Sequence, residues 1–174
     1  MSTRLVPTLR VSDLPADGSI SHWVLVGQVP HEEHADPRSH RSGAGATVRA
    51  VRVSAGDLDL IIDESWSAWS LLKRPGQSSS SDMLLGRAPT NDIFIAHSSV
   101  SKLHARIRVE GAELVMSDAS SSNGTVVNGE SVRAGDEVPL VSGDFVRFGA
   151  CVFQVFSPAH INAIVKRLRG GSPV

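Results

Sequence analysis

Apolar residues recur along the second half of the chain in short runs: MLLGR, DIFIAH, HARIRV, AELVMSD, GTVVNG, EVPLV, DFVRFG and CVFQVF, between Asp82 and Phe156. Each run is a few residues long, alternates with period two and is bounded by turn formers. That spacing predicts a β-sandwich or barrel and argues against βαβ units. Three turn signals sit between the runs, Asn128-Gly129, Glu110-Gly111 and Ser142 to Asp144. Both central residues of a type I′ turn need positive φ, which Asn-Gly tolerates best, so VVNGESV predicts a hairpin.

The pattern changes at both ends. In SPAHINAIVKRLRGG, Ser157 offers an N-cap and Pro158 a first helical position; Ile161, Ile164, Val165 and Leu168 follow at helical spacing. Lys166, Arg167 and Arg169 complement the helix dipole and Gly170 stops the helix, so residues 157–170 read as one amphipathic helix packed on the sandwich. Before Trp69 the runs HWVLVG, TVRAVRV and LDLIID alternate as strands, and PHEEHADPRSHRSGAGA, near residues 30–46, suits a mobile loop. The pattern does not say whether those strands extend the main sheet or form an arm. The serines of KRPGQSSSSD, flanked by AWSLLKR and DMLLGR, predict the tip of a long hairpin. The reading is therefore an N-terminal extension over 1–68, a sandwich over 69–156 and a helix over 157–170.

At 174 residues the chain supports one ordinary core with appendages. A net charge of -1 gives no whole-molecule field toward nucleic acid or an anionic membrane. The chain has no tyrosine, five Phe and three Trp, which leaves little material for a base-stacking platform. Cys151 is the single cysteine; this excludes an internal disulfide and a Cys-rich zinc site, and its strand-like setting reads as a small buried hydrophobe in a reducing compartment. No apolar stretch is long enough for a signal peptide or a bilayer span, so the expectation is a soluble cytoplasmic protein. The richness in Gly, Ala and Val points to a bacterial source.

Chemistry concentrates in SVSKLHA, where Ser101 and His104 stand three apart. A serine nucleophile needs its base within hydrogen-bond reach, and three positions apart on an extended chain face opposite sides of a sheet. A direct dyad is disfavoured on that ground, and no G-x-S-x-G elbow is present. The histidines of HEEH, His31 and His34, with His40 nearby, lack the H-E-x-x-H register and lie among loop formers, so no metal site is expected. Three polar loops remain at strand ends: Gly86-Arg87, Ser99 to His104, and Ser120 to Thr125. Gathered at one end of a sandwich they supply a guanidinium, an ammonium, hydroxyls, an amide and glycine-permitted N–H groups, which is an anion receptor with no proton shuttle for turnover. No cofactor and no enzymatic activity are expected.

The ordered set G-R, S-x-x-H, S-S-N-G-T and N-G, with APTNDIFI after the arginine, MSDASSSNGT on the approach and PLVSGDFVRFG as a late hairpin, resembles the forkhead-associated (FHA) domain from about Trp69 to Phe156. The resemblance implies a sandwich of two antiparallel sheets that binds phosphothreonine peptides. By that resemblance Arg87 grips the phosphate, where its fork suits two oxygens at once. Ser101 donates its hydroxyl, Lys102 adds charge, Ser122 donates from the facing loop, and Asn123 reads the ligand backbone. Gly86 and Gly124 allow tight chain paths, His104 braces the loops and Asn128 serves the hairpin. Ser99 departs from members that carry a basic residue there. A small pocket for the threonine γ-methyl would favour phosphothreonine over phosphoserine several-fold, at ~1 kcal/mol per buried methyl.

The implied function is a non-catalytic adaptor in Ser/Thr-kinase signalling, with a phosphothreonine-bearing protein and a Ser/Thr protein kinase as partners. The alternative is a scaffold subunit that binds through the N-terminal extension or the helix independently of phosphorylation. Thr3, Thr8 and Thr47 are ordinary threonines that a kinase could turn into ligands in cis or in trans.

Overall fold

The computed structural model describes residues 9–30, 66–76 and 80–170. Strands β1 (Leu9–Arg10), β2 (Val24–Gln28), β3 (Ser67–Ser70), β4 (Met83–Gly86), β5 (Ile93–Phe94), β6 (Ala105–Glu110), β7 (Glu113–Asp118), β8 (Thr125–Val127), β9 (Glu130–Val132), β10 (Glu137–Leu140), β11 (Phe145–Phe148) and β12 (Cys151–Phe156) precede one helix, α1 (Pro158–Arg169). Among the described residues they build a seven-stranded sheet ordered β1-β3-β2-β12-β11-β8-β9 and a five-stranded sheet ordered β10-β7-β6-β4-β5. The strand neighbours pair antiparallel except β4 and β5, where Leu85 and Gly86 run parallel to Ile93 and Phe94. The antiparallel expectation is corrected at that pair: the 87–92 loop brings the chain back beside β4 in the same direction, with Ile95 N–H donating to the Gly86 carbonyl.

Alternation along the strands fills the space between the sheets. Leu25, Trp69, Phe148, Phe153 and Val155 of one sheet face Leu85, Ile107, Leu114 and Met116 of the other in one buried cluster. A second cluster lies on the outer face of the seven-stranded sheet. There Val24, Val26, Ala68 and Phe156 meet Ile161, Ile164 and Val165 of α1, joined by Val11, Leu14 and Ile20. β2 is covered on both faces, which is why it reads as an unbroken apolar run. Each aliphatic side chain of α1 buried there contributes roughly 1.5–3 kcal/mol relative to exposure. The helix begins at the Ser157 N-cap, whose hydroxyl accepts from the His160 N–H, and ends at Gly170. From its last turn, the Arg169 guanidinium donates to the carbonyls of Ser12 and Leu14, tying the helix to the N-terminal segment.

The register answers the question left open by the early strand pattern. β2 pairs with β12 over Val24–Gln28 and with β3 over Val24 to Gly27, and β1 pairs with β3, so β1, β2 and β3 belong to the sandwich sheet. TVRAVRV, LDLIID and the loop at 31–46 lie outside the described residues. The hairpin tip expected at Lys73 to Asp82 is corrected: β3 lies in the seven-stranded sheet and β4 in the five-stranded one, so this stretch crosses between sheets. Packing decides it, since Leu71 and Met83 both bury into the inter-sheet core from opposite layers. Ser142 to Asp144 likewise carries the chain from β10 in one sheet to β11 in the other, where a hairpin was expected. The turn at Glu110 does close a hairpin; Gly111 takes φ +62° between β6 and β7.

Candidate functional site

β4 ends, β6 begins, β7 ends and β8 begins at the same end of the sandwich, together with the turn from β11 into β12. Three loops therefore converge there: 87–92, 97–104 and 119–124. Gly86 sets the first contact. A Cβ at this position would run into the carbonyls of Ser101 and Lys102 and the amide of Asn91, so only glycine lets the backbone lie against the Ser101-Lys102 turn. The close approach allows Arg87 N–H to donate to the Ser101 carbonyl (2.8 Å) and Ala88 N–H to the Lys102 carbonyl (3.1 Å). Arg87 Nε donates to the Val100 carbonyl at 3.0 Å. The exposed guanidinium is thus held by its inner nitrogen, and its two terminal nitrogens carry no hydrogen bond among the described residues.

Ser101 faces the loop from β7. Its hydroxyl oxygen accepts the Ser122 N–H at 2.9 Å and its proton is donated to the Ser122 hydroxyl at 3.5 Å, a long bond that a charged incoming acceptor would outcompete. Asn123, exposed, donates its side-chain amide to the Ser99 carbonyl at 2.8 Å. Lys102 is exposed on the same turn as Ser101, and its carbonyl also accepts from Asn91 Nδ2 at 2.5 Å. The structure therefore brings Arg87, Ser101, Lys102, Ser122 and Asn123 to one polar mouth. Asn128 is elsewhere. It takes φ +50° with Gly129 at +89° at the far end of β8, and its side chain bonds Asp144 Oδ1 and the Phe145 N–H.

His104 lies beneath the mouth, fully buried. Its Nδ1 accepts the Ser101 N–H at 3.0 Å, which leaves the ring proton on Nε2 to donate to the Gly124 carbonyl at 3.2 Å. One neutral imidazole joins two loops. Burial holds its pKa below the ordinary 6.5, against the opposing pull of the Gly124 carbonyl and the Asp118 carboxylate. Gly124 adopts φ +74° with open space where a Cβ would stand, so its requirement is backbone conformation and not room. Its carbonyl also accepts the Gly149 N–H at 3.2 Å.

Several organising residues escaped the sequence reading. Asp118 is buried and its carboxylate accepts the Ser121 N–H (2.8 Å), the Ser121 hydroxyl (2.6 Å) and the Thr125 hydroxyl (2.5 Å). Burial alone would raise its pKa, but the Ser121 and Thr125 hydrogen bonds and the nearby His104 bring the net shift below the ordinary value. Its spacing to Ser121 and Thr125 was a usable signal, since a loop that folds back on an acid needs hydroxyls three and seven residues on. Around that anchor Ser120 is forced to φ +62°. Ser99 turns inward: Oγ and N lie 2.8 and 3.2 Å from His97 Nδ1, and Oγ accepts the Ala150 N–H at 2.8 Å. Cys151, fully buried behind it, has its thiol pushed up to about 11 by burial, opposed by Ser99, and stays protonated at neutral pH.

Among the described residues no three His, Cys, Asp or Glu side chains group to hold a metal, and no helix is long and apolar enough to cross a membrane. His31, His34 and His40 lie outside those residues.

A family model, that of the FHA domain, matches residues 83–149, which takes in all three loops. The oxoglutarate dehydrogenase inhibitor of Corynebacterium efficiens is 33% identical over 116 residues, 61% of this chain and 78% of that protein. The chain belongs to the FHA domain family. The glycogen accumulation regulator GarA of Mycolicibacterium smegmatis is 41% identical over 107 residues, covering 60% of this chain and 62% of GarA. The chain thus spans less than two thirds of the length of that relative. Among solved structures, the FhaA FHA domain complexed with the intracellular domain of Rv3910 is similar at 30% identity, covering 45% of this chain and 84% of that one, with a TM-score of 0.40. The FHA match runs from residue 83 to 149, so β1 to β3, β12 and α1 lie outside the matched segment.

Proposed function

We propose that this FHA domain is a non-catalytic, cytoplasmic module that binds a phosphothreonine peptide of a partner protein at the mouth formed by Arg87, Ser101, Lys102, Ser122 and Asn123. The observation that carries the reading is the state of Arg87. Its Nε is committed to the Val100 carbonyl, so the guanidinium is oriented before any ligand arrives and keeps both terminal nitrogens for a planar or forked acceptor. Ser101, fixed through His104 and Ser122, adds a hydroxyl donor beside it. Lys102 adds a point charge, which a phosphate dianion rewards and a neutral threonine does not. Asn123 is anchored by its amide nitrogen to Ser99, and its side-chain oxygen is left to accept from a peptide N–H.

In this reading a Ser/Thr protein kinase writes the mark and the domain reads it. The two relatives are named for regulating glycogen accumulation and for inhibiting oxoglutarate dehydrogenase. Those names support a regulatory partner for this chain, an enzyme whose activity follows the docking of the domain. Calorimetry with matched peptides tests the reading. Micromolar-range binding is expected for a phosphothreonine peptide, several-fold weaker binding for its phosphoserine twin, and none for the unphosphorylated one. Arg87→Ala removes two charge-assisted hydrogen bonds at roughly 1.5–3 kcal/mol each and is expected to weaken binding by at least a hundredfold. Equal affinity for phosphorylated and unphosphorylated twins defeats the proposal.

A further inference from the structure

The crossover between the sheets buries an arginine. Arg74 is 4% exposed, yet its Nε and Nη2 are buried without a hydrogen-bond partner among those residues. Only Nη1 is satisfied, donating to the Pro89 carbonyl at 2.7 Å. A buried guanidinium with two of its three nitrogens unmatched opposes folding, and an apolar side chain of similar reach would be better tolerated there. What Arg74 does touch is the loop that follows Arg87.

That loop is clamped from two sides. On one side Ala88 N–H and Asn91 Nδ2 both donate to the Lys102 carbonyl, next to Ser101. On the other, Arg74 holds Pro89, and Asp92 at the loop's end accepts the Arg74 N–H and the Leu84 N–H, each at 2.8 Å, with Lys73 Nζ at 3.4 Å. Arg74 precedes the segment that matches the FHA family at 83–149. We propose that Arg74 is a positioning residue for phosphopeptide binding, pressing the Ala88 to Asn91 loop onto the Ser101-Lys102 turn through the Pro89 carbonyl and so fixing the spacing between Arg87 and Ser101. It touches no ligand. The inference rests on the proposed phosphopeptide site for its functional sense, and on the hydrogen bonds alone for its structural one.

The test uses the full chain with Arg74→Met and Arg74→Lys, read at a temperature where every variant is folded. Arg74→Met is expected to keep or raise the melting temperature and to weaken phosphopeptide binding about tenfold, the effect of one lost positioning hydrogen bond. Arg74→Lys, which keeps one N–H for Pro89, is expected to restore most of the affinity. A second readout needs no peptide: in Arg74→Met the Arg87 Nε–H and Ala88 amide resonances shift and the Ala88 amide exchanges faster. Unchanged resonances and exchange overturn the proposal even if wild type proves not to bind phosphopeptide, an outcome that strikes the functional reading separately. Wild-type affinity in Arg74→Met, or affinity lost equally in Arg74→Lys, also overturns it. Should Arg74→Met unfold, Arg74→Gln, too short to reach the Pro89 carbonyl, takes its place in the same two readouts with the same expected and overturning results. A core variant, Ile164→Ala, serves as control: lower melting temperature with unchanged affinity is expected, and an affinity loss matching that of Arg74→Met would assign the effect to stability.

Discussion

Two Asn-Gly dipeptides flank the three-residue strand β8, and they are put to opposite uses. Asn128-Gly129 sits with both φ values positive in the turn to β9, and Asn128 spends both side-chain atoms on the Asp144 to Phe145 segment. Asn123-Gly124 precedes the strand. There only the glycine is left-handed, and Asn123 stands exposed with its amide nitrogen on Ser99. The same local signal thus closes a hairpin at one end and presents a recognition group at the other. What separates them is the partner across the gap: a turn between sheets in one case, a neighbouring loop and an open mouth in the other.

The contrast can be sharpened by substitution, from the largest effect downward. Arg87→Ala at the mouth end is expected to cost about 3–6 kcal/mol of phosphopeptide affinity with a denaturant midpoint close to wild type; a comparable loss of stability would mean the mouth is a structural element. Asn128→Ala is expected to invert that pattern. It forfeits two hydrogen bonds and replaces an asparagine, which tolerates positive φ, with an alanine that does so less readily, roughly 2–3 kcal/mol of stability in all, with affinity intact. Asn128→Gly should recover about 1 kcal/mol of it. Asn123→Ala comes next, weakening peptide binding about tenfold while stability changes by under roughly 1 kcal/mol, because the bond to Ser99 is exposed. Calorimetry and urea melts on the same samples separate the two asparagines; if both substitutions moved both quantities alike, the division of labour would be wrong.

The gentlest effect is in pH. His104 is buried neutral, so between its lowered folded pKa and the ordinary 6.5 the unfolded chain takes up a proton that the folded chain refuses. Its contribution is complete above pH 6.5 and is lost as pH falls below it. His22, also lowered by burial, acts in the same direction. The comparison of wild type with His104→Gln isolates the site's share, and a shallower acid-side slope is expected in the variant. Asp118 acts lower, its net-depressed pKa giving stability that is present above the ordinary 3.8 and lost as pH falls through the folded value. Peptide-free melts are the right readout, since the phosphate's own second ionisation near ~6 would confound binding.

What could be read from the sequence was local. The strands from Met83 onward follow from period-two alternation, the turn at Asn128 from its dipeptide, and α1 from Ser157, Pro158 and Gly170 at its ends. What could not be read was which layer a strand joins. Pro75 and Gly76 announce a change of direction, yet only the burial of Leu71 and Met83 from opposite sheets makes that stretch a crossover. β2 is apolar on both faces because α1, from the opposite end of the chain, covers one of them. At the site, the ordered motif pointed to Arg87, Ser101 and Asn123, and the spacing of Asp118 to Ser121 and Thr125 was legible too, whereas the parts of Ser99 and Arg74 depend on distances across loops that no spacing rule reports.

The border of the family match cuts through this architecture. A fragment trimmed to 83–149 would keep the five-stranded layer and the polar mouth but lose β2, β3 and β12, which line up beside β11 and carry Leu25, Trp69, Phe153 and Val155. Its remaining half-sheet would present raw backbone along β11 and a bare oily floor beneath it, the combination that drives strands of separate molecules to zip together. Proteolysis or splicing at the motif's edges would yield sticky debris and no portable reader. The recognition end is only as durable as the distant first and last stretches of chain that shelter it.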